Sequence, residues 1–426
     1  MRKQIIYQVL PRLWKNGKFS DWDNGSFAYL HTLSVDYIWF TGIIRHASGK
    51  DWVKGNPGSP YSICDYYDVN PYLADNPDKR MAEFEALVER THRAGFRVLI
   101  DFVPNHVSRD GASGIPTCGY CDYDWTDTFK IDYSHPDTRS RLLEILEFWA
   151  SKGVDGFRCD MIEMVPPDFL KWAISGIKKT HPEVIFIGEA YGRHNYPLYL
   201  KDVGFDLIYD KSGFYDSVRS IQKGMTAEAI TWNWQSLGDM QNGMLNFLEN
   251  HDEQRCASPA FAGSADRCYA ALAAGTLFNN ASFMLYAGQE CGEQALNNAD
   301  FRTSLFNIDR PLSLLSPDEA VLERYRHTLA LASSPLFREG KNWDLCYCNT
   351  DSEGFNPKAH FAFLRMLDGE AVLVACNFSN YDSAMTVKIP KETGLTPGLF
   401  KLNVPAWDYV TIRVSSLNRI RQDSQL

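Results

Sequence analysis

Four short apolar runs of this 426-residue chain end in carboxylates: Asp101 after RVLI, Asp160 in GFRCD, Glu189 in FIGEA and Asp252 in FLENHD. Taken alone, each reads equally well as a helix cap or a salt-bridge partner. Four on one face carry an energetic cost, because like charges repel and lose hydration unless an arginine, a metal or a reaction uses them. In GFRCD the two-residue period of a strand puts Arg158 and Asp160 on one side, where the guanidinium can hold the carboxylate ionised and oriented. An ionised, fixed aspartate suits nucleophilic attack, and a second carboxyl that keeps its proton can serve a departing oxygen. Two such groups flanking a glycosidic bond are the minimal equipment for hydrolysing a sugar linkage, and Asp160 and Glu189, on adjacent strands, fit the two roles.

These residues need a frame that gathers strand ends. Eight β-branched or apolar runs occupy residues 4–10, 35–40, 97–103, 155–161, 184–190, 206–209, 244–248 and 282–286, alternating with amphipathic stretches. This is the pattern of parallel βα units, and nearly continuous apolar runs suit strands buried on both faces. Met81, Phe84, Leu87, Val88 and Thr91 share one face of a helix that Gly95 closes. A second helix opens at Pro136 and Asp137, buries Leu142, Leu146 and Trp149, and stops at Gly153. Ser316 as cap, Pro317 in the first turn and the acids Asp318 and Glu319 begin a last helix that ends before Pro335.

Eight repeats predict a (β/α)8 barrel, since an open doubly wound sheet seldom needs eight parallel strands. Residues 41–77 and 104–135 each follow a strand and exceed about 15 residues, the length beyond which loops are usually functional. They therefore fall on the C-terminal face, where such barrels build active sites. Beyond Pro335 the runs HFAFLRM, AVLVACNF, AMTVKIP and DYVTIRV alternate with turns and predict an antiparallel β-sandwich. The expected organisation is a catalytic barrel over 1–103 and 136–335, a short inserted loop subdomain over 104–135, a C-terminal sandwich over 336–415 and a polar tail over 416–426.

Composition narrows the chemistry. A hydrophobic content of 45% and a charged content of 23% belong to a globular chain and exclude disordered, collagen-like and coiled-coil classes. A net charge of −10 argues against nucleic acid and anionic membranes as partners. No run approaches the roughly 18 apolar residues of a membrane span. The start MRKQIIYQVLPRLW lacks a signal peptide's apolar core, so the expected location is the cytoplasm, or outside it after removal of a signal peptide. The 11 Trp and 21 Tyr suit stacking on apolar faces of ligands, sugars among them. Ten scattered Cys read as reduced thiols; Cys118 and Cys121 have zinc-knuckle spacing, but four ligands are needed and no second pair follows. The absence of GxGxxG and GxxxxGK[ST] disfavours dinucleotide and ATP chemistry, and no organic cofactor is expected.

The stretches DFVPNH (101–106), GFRCD (156–160), IGEA (187–190) and ENHDEQR (249–255) resemble, in order and spacing, the four short regions of the α-amylase family of glycoside hydrolases, glycoside hydrolase family 13. SPYSICDYYDVNP, FKIDYSHPDTR and YAGQECGE are supporting matches, and the resemblance spans about residues 1–335. It implies Asp160 as the nucleophile that forms a glycosyl ester, Glu189 as general acid and then base, and Asp252 as stabiliser of the oxocarbenium-like transition state. It also implies that His106 and His251 bind hydroxyls of the sugar, that Arg158 positions Asp160, that Asp101 supports the cluster and that Tyr61 stacks beneath the sugar. Each of these also has a purely structural reading: satisfied core histidines, a packed loop aromatic, a cap. The family often holds a calcium ion near its third loop, which by position would use Asn105 and Asp132, and oxygen ligands suit that hard cation. As a loop hydrogen-bonder Asn105 is equally well explained.

One departure from the resemblance follows the nucleophile, where many α-amylases carry a basic residue and a His that contact the leaving group. This chain has Glu163 and Met164, which predicts polyol contacts or an indirect role for Glu163. The resulting function is a retaining hydrolase of α-1,4 links in starch, glycogen or malto-oligosaccharides. The alternatives are an exo-acting α-glucosidase, an α-glucan transglycosylase of the same fold, or a non-catalytic homologue, which loss of a carboxylate would favour. For Glu189 to stay protonated, ionised Asp160 and Asp252 are expected to raise its pKa, with desolvation adding.

Overall fold

The computed structural model describes residues 2–307, 317–350 and 354–414. Eight parallel strands close a barrel: Ile5–Val9, Tyr37–Phe40, Arg97–Phe102, Gly156–Cys159, Ile185–Gly188, Leu207–Tyr209, Met244–Phe247 and Ser282–Tyr286. Closure is made by the first strand, which pairs Ile6 with Tyr37 on one side and with Met284 on the other. Apart from Arg97, every residue of these strands is buried, which is why their sequences read as unbroken apolar runs. Gly156 opens the fourth strand because nothing larger fits: a Cβ there would stand 2.5 Å from the Ile185 carbonyl and 2.7 Å from Leu99.

The helices follow from the apolar spacing. Arg80–Arg93 buries Phe84, Leu87, Val88 and Thr91 and is followed by Gly95 at φ +87°. Thr138–Ser151 buries Leu142, Ile145, Leu146 and Trp149, with Gly153 also at φ +87°. The last helix against the barrel, Glu319–Ser333, starts later than the sequence suggests. Asp318 is its cap, accepting the Ala320 and Val321 N–H groups, because its short carboxylate reaches the free donors of the first turn. Ser316 lies outside the described residues, as do residues 415–426 of the expected tail.

The two long loops carry structure of their own. Within 41–77, Ile44–His46 pairs antiparallel with Ile63–Val69; within 104–135, His106–Ser108 pairs with Thr128–Lys130. After the barrel, Lys341–Asp344, His360–Leu367, Glu370–Asn377 and Tyr409–Arg413 form one antiparallel sheet, and Ser383–Ile389 with Gly398–Val404 a second. Arg365 in the first of these sheets is buried and donates to the Phe278 and Phe337 carbonyls at 3.0 and 3.1 Å, tying the C-terminal sheet to the barrel. All ten cysteines are free thiols. Among the described residues no helix is long and apolar enough to cross a membrane.

Trp149 fastens the loop after the second strand to the barrel's outer layer: its indole N–H donates to the Tyr66 carbonyl at 2.8 Å while its ring meets the edge of Phe84. Trp149→Ala is expected to cost about 3–5 kcal/mol, the range for emptying a buried aromatic site. Chemical denaturation of both proteins, with the midpoint lowered at unchanged slope, checks this.

Candidate active site

The third and fourth strands are in register so that Asp101 pairs with Arg158. Asp160 and Glu189 follow the last residues of the fourth and fifth strands, yet their backbones extend the ladder. Asp160 N–H donates to the Phe102 carbonyl at 2.9 Å and Glu189 N–H to the Cys159 carbonyl at 3.1 Å. The pleat therefore turns these side chains toward one place, which the fully buried Arg158 occupies. Its Nη1 donates to Asp160 Oδ1 at 2.6 Å and lies 3.9 Å from Asp101 Oδ1. Its Nη2 stands 2.8 Å from Glu189 Oε2, an ion pair without the alignment of a hydrogen bond. The rings of Trp39, Tyr61 and Tyr209 surround the guanidinium at 5.5, 5.4 and 5.6 Å.

Asp252 reaches the cluster from the loop after the seventh strand, its N–H donating to Asn250 Oδ1 at 2.8 Å. Its Oδ2 lies 3.1 Å from His251 Nε2. The Tyr61 hydroxyl is 2.5 Å from the same nitrogen, and Gln8 Nε2 is 2.6 Å from His251 Nδ1. Tyr61 stacks on the His251 ring at 5.5 Å and donates to Asp101 Oδ1 at 3.3 Å. Asp252 is the open member of the group, with 39% of its side chain exposed against 3% for Glu189 and 8% for Asp160.

Burial dominates the electrostatics. It raises the Glu189 pKa first of all; Arg158 opposes it, Asp160 adds to it, and hydrogen bonds from Tyr191 and the Met161 N–H oppose it. Asp252 is raised as well, by desolvation and then by Glu189. The expectation that ionised Asp160 and Asp252 lift Glu189 is corrected in its order and its source: desolvation leads, Asp160 adds, and Asp252 is itself raised. Asp101 is pushed up to about 6 by burial, against the pull of Arg158 and the Gly42 N–H. His251 is held far below the usual imidazole range by burial and Arg158. His106, which burial lowers to about 4, is likewise uncharged at neutral pH, and it feels both Glu189 and the Tyr61 backbone. A fixed, low-dielectric pocket of carboxyls, neutral imidazoles and one cation can shift protons and stabilise a developing positive charge.

A family profile described as the α-amylase catalytic domain matches residues 21–113 and 119–344. The chain belongs to the α-amylase family of glycoside hydrolases. It is 29% identical over 321 residues to α-amylase MalA of Haloarcula japonica, covering 68% of this chain and 44% of that protein. It is 24% identical over 342 residues to α-amylase 3 of Dictyoglomus thermophilum, covering 68% and 64%. The chain thus spans less than two thirds of either relative's length. An α-amylase structure from Lactobacillus plantarum shares the fold, with a TM-score of 0.75 at 24% identity over 96% of this chain and 98% of that one.

In this member of the α-amylase family Asp101, Arg158, Asp160, Glu189, His251, Asp252 and Tyr61 meet in one barrel mouth, with His106 at its edge. Asn105 and Asp132 do not join them; Asn105 Oδ1 is buried with no hydrogen-bond partner among the described residues. Asp132 Oδ1 accepts both the N–H and the hydroxyl of Ser134, at 2.9 and 2.6 Å, within its own turn. Asn105 Nδ2 donates to Asp122, whose other oxygen takes the Lys130 ammonium at 3.2 Å. Among the described residues no group of three or more His, Cys, Asp or Glu is placed to hold a metal.

Sequence reasoning missed several contributors. Gln8 was legible as a polar residue inside the apolar first strand, and Tyr191 shares the parity of Glu189; Trp39 and Tyr209 carried no signal beyond core hydrophobicity. Equally silent was the ion pair that pins the loop bearing His251 and Asp252. Glu249 and Arg255, both fully buried, meet at 2.6 Å, and Arg255 also donates to Thr303 and to the Ala287 carbonyl. Glu249→Ala strands that guanidinium and is expected to destabilise the fold by about 3–5 kcal/mol. Thermal unfolding checks this, with a Glu249→Leu/Arg255→Met double variant recovering most of the loss.

Proposed function

We propose that this protein is a retaining α-glucan hydrolase that cleaves α-1,4-glucosidic links of starch, glycogen or malto-oligosaccharides by double displacement. The observation that carries the reading is a single buried guanidinium holding Asp160 and Glu189 side by side beneath the opening where Asp252 faces the cleft. Family membership and the MalA relative support the substrate class.

In the first half-reaction Asp160 Oδ attacks the anomeric carbon from one side while Glu189 delivers its proton to the glycosidic oxygen. The C–O bond breaks with its electron pair going to that oxygen, leaving a glycosyl ester. Arg158 aims Asp160, its Nη1 donating to Oδ1 at 2.6 Å. Asp252, exposed to the cleft, stabilises the charge that grows on the ring and exocyclic groups, and uncharged His251, braced by Gln8 and Tyr61, offers a hydrogen bond to a sugar hydroxyl. Tyr61 presents its face as a platform. In the second half-reaction Glu189, now ionised, takes a proton from water, which attacks the ester and regenerates Asp160.

Asp160→Asn removes the nucleophile without altering shape, so kcat is expected to fall by at least about 10⁴-fold with the melting temperature within a few degrees of the parent. Retained turnover at the parent rate overturns the assignment. Time-resolved NMR of maltoheptaose digestion is expected to show the α anomer first, because carboxyls clamped by one guanidinium suit the close spacing of retaining sites, about 5–5.5 Å. A first-formed β anomer contradicts it. The acid form of Glu189 is needed for the first step and its pKa is raised, so kcat/KM should hold above the pH at which a free glutamate ionises and fall as pH climbs past the raised value. The product spectrum from maltoheptaose, isomaltose, starch and pullulan, with and without an acceptor sugar, separates this reading from its neighbours. Mixed short oligomers support it, whereas glucose alone indicates an exo-acting glucosidase and longer products a transferase.

A further inference from the structure

Glu163, which the sequence singled out as a departure from the family pattern, spends both carboxylate oxygens on the loop that follows the fifth strand. Its Oε2 accepts the Tyr191 N–H at 2.8 Å, and its Oε1 accepts the Gly192 N–H at 3.0 Å and the Asn195 side-chain amide at 2.8 Å. A Cβ at 192 would stand 2.6 Å from Glu163 Oε1 and would have to push that carboxylate aside. Met161, in the left-handed region at φ 43°, turns the chain sharply after Asp160, and its N–H donates to Glu189 Oε2 at 2.8 Å.

The loop so anchored carries Tyr191, whose hydroxyl lies 2.6 Å from Glu189 Oε1. The two oxygens of Glu189 therefore have different surroundings. Oε2 faces a backbone N–H and the Arg158 guanidinium, which disfavour a proton on that atom. Oε1 faces only a hydroxyl, which can accept from a carboxylic acid and donate to a carboxylate. We propose that Glu163 and Tyr191 form a clamp that directs Glu189, with Tyr191 holding the proton on Oε1 until a glycosidic oxygen takes its place.

The clamp rests on the acid/base reading of Glu189. In the step it serves, the O–H bond of Glu189 Oε1 breaks, its proton goes to the leaving oxygen, and the Tyr191 hydroxyl rotates to donate to the new carboxylate. The phenol keeps its own proton throughout, because burial and the neighbouring Glu189 and Asp252 carboxylates raise its pKa. Lys211 lies 5.9 Å from the centre of the Tyr191 ring and backs it. Arg158 and Asp160 face Glu189 from the fourth strand, His106 from the third-strand loop, Tyr209 from the sixth strand and Asp252 from beyond the seventh. Of these, only Tyr191 touches Oε1 among the hydrogen bonds of the described residues, so Tyr191 and Glu163 are positioning residues.

The test is the pH profile of Tyr191→Phe, which keeps the ring and removes the hydroxyl. Ionised Glu189 loses a donor, so its pKa rises, and the alkaline limb of kcat/KM for maltotriose is expected to move up by about one pH unit. At neutral pH kcat for maltotriose should fall about tenfold while KM changes less than threefold. The loss in kcat/KM should be several times smaller for an aryl α-glucoside with an acidic leaving group, which needs little protonation. Glu163→Gln, which sets an amide N–H₂ against the loop's own N–H groups, is expected to move the limb the same way, and the double variant to add less than twofold to Tyr191→Phe. An unmoved limb in folded Tyr191→Phe, with hydrolysis otherwise intact, overturns the clamp alone. If the parent enzyme turns over no α-glucoside, the functional reading falls and the clamp with it.

Discussion

Arg158 is the point on which the site turns. A guanidinium with no exposed surface has lost its hydration, a cost repaid only by partners of opposite charge at close range. Those partners are Asp160 at 2.6 Å and Glu189 at 2.8 Å, and each of them in turn is tolerable in the interior only because Arg158 is there. The barrel supplies what a loop could not: strand register and parity bring Asp101, Arg158, Asp160 and Glu189 to adjacent positions and leave them no freedom to separate. Packed rings of Trp39, Tyr61 and Tyr209 then wall the cation off from water, which strengthens every charge interaction inside.

One cation cannot neutralise four carboxyls. Burial instead raises the proton affinity of the carboxyls: Glu189 and Asp252 are raised together and Asp101 moves to about 6. The histidines do not supply charge either, since burial and Arg158 hold His251 neutral. A site that must both donate a proton and present an anion is thereby built from one residue type. What separates the roles is environment: Asp160 takes the aligned Nη1 hydrogen bond, whereas Glu189 has the guanidinium beside it out of alignment and a tyrosine hydroxyl on its other oxygen.

Around this centre the loops differ in how they are stiffened. The Asp252 loop is pinned from behind by the Glu249–Arg255 pair. The loop after the fifth strand is pinned by Glu163, and the 104–135 segment by a short hairpin with Lys130 on Asp122. In the last case an ammonium group sits on the carboxylate that also accepts from Asn105.

The barrel, the order of its strands and the carboxylates at their ends were legible in the sequence, because a strand buried on both faces must be apolar along its length. A charge breaking that run at its end therefore stands out. Strand parity linked Arg158 to Asp160 for the same reason. Tertiary structure alone decided the rest. That one guanidinium spans two strands to reach Glu189, that Gln8 from the first strand braces His251 from beyond the seventh, and that Glu163 holds a loop rather than a sugar are facts of closure. They join residues distant in sequence whose identities follow no local period. The true cap of the last helix, Asp318, was missed by the same limit: Ser316 and Asp318 both fit the local pattern. The raised pKa of Glu189 was anticipated, but not its leading cause, since desolvation is a property of the assembled barrel mouth and of no residue within it.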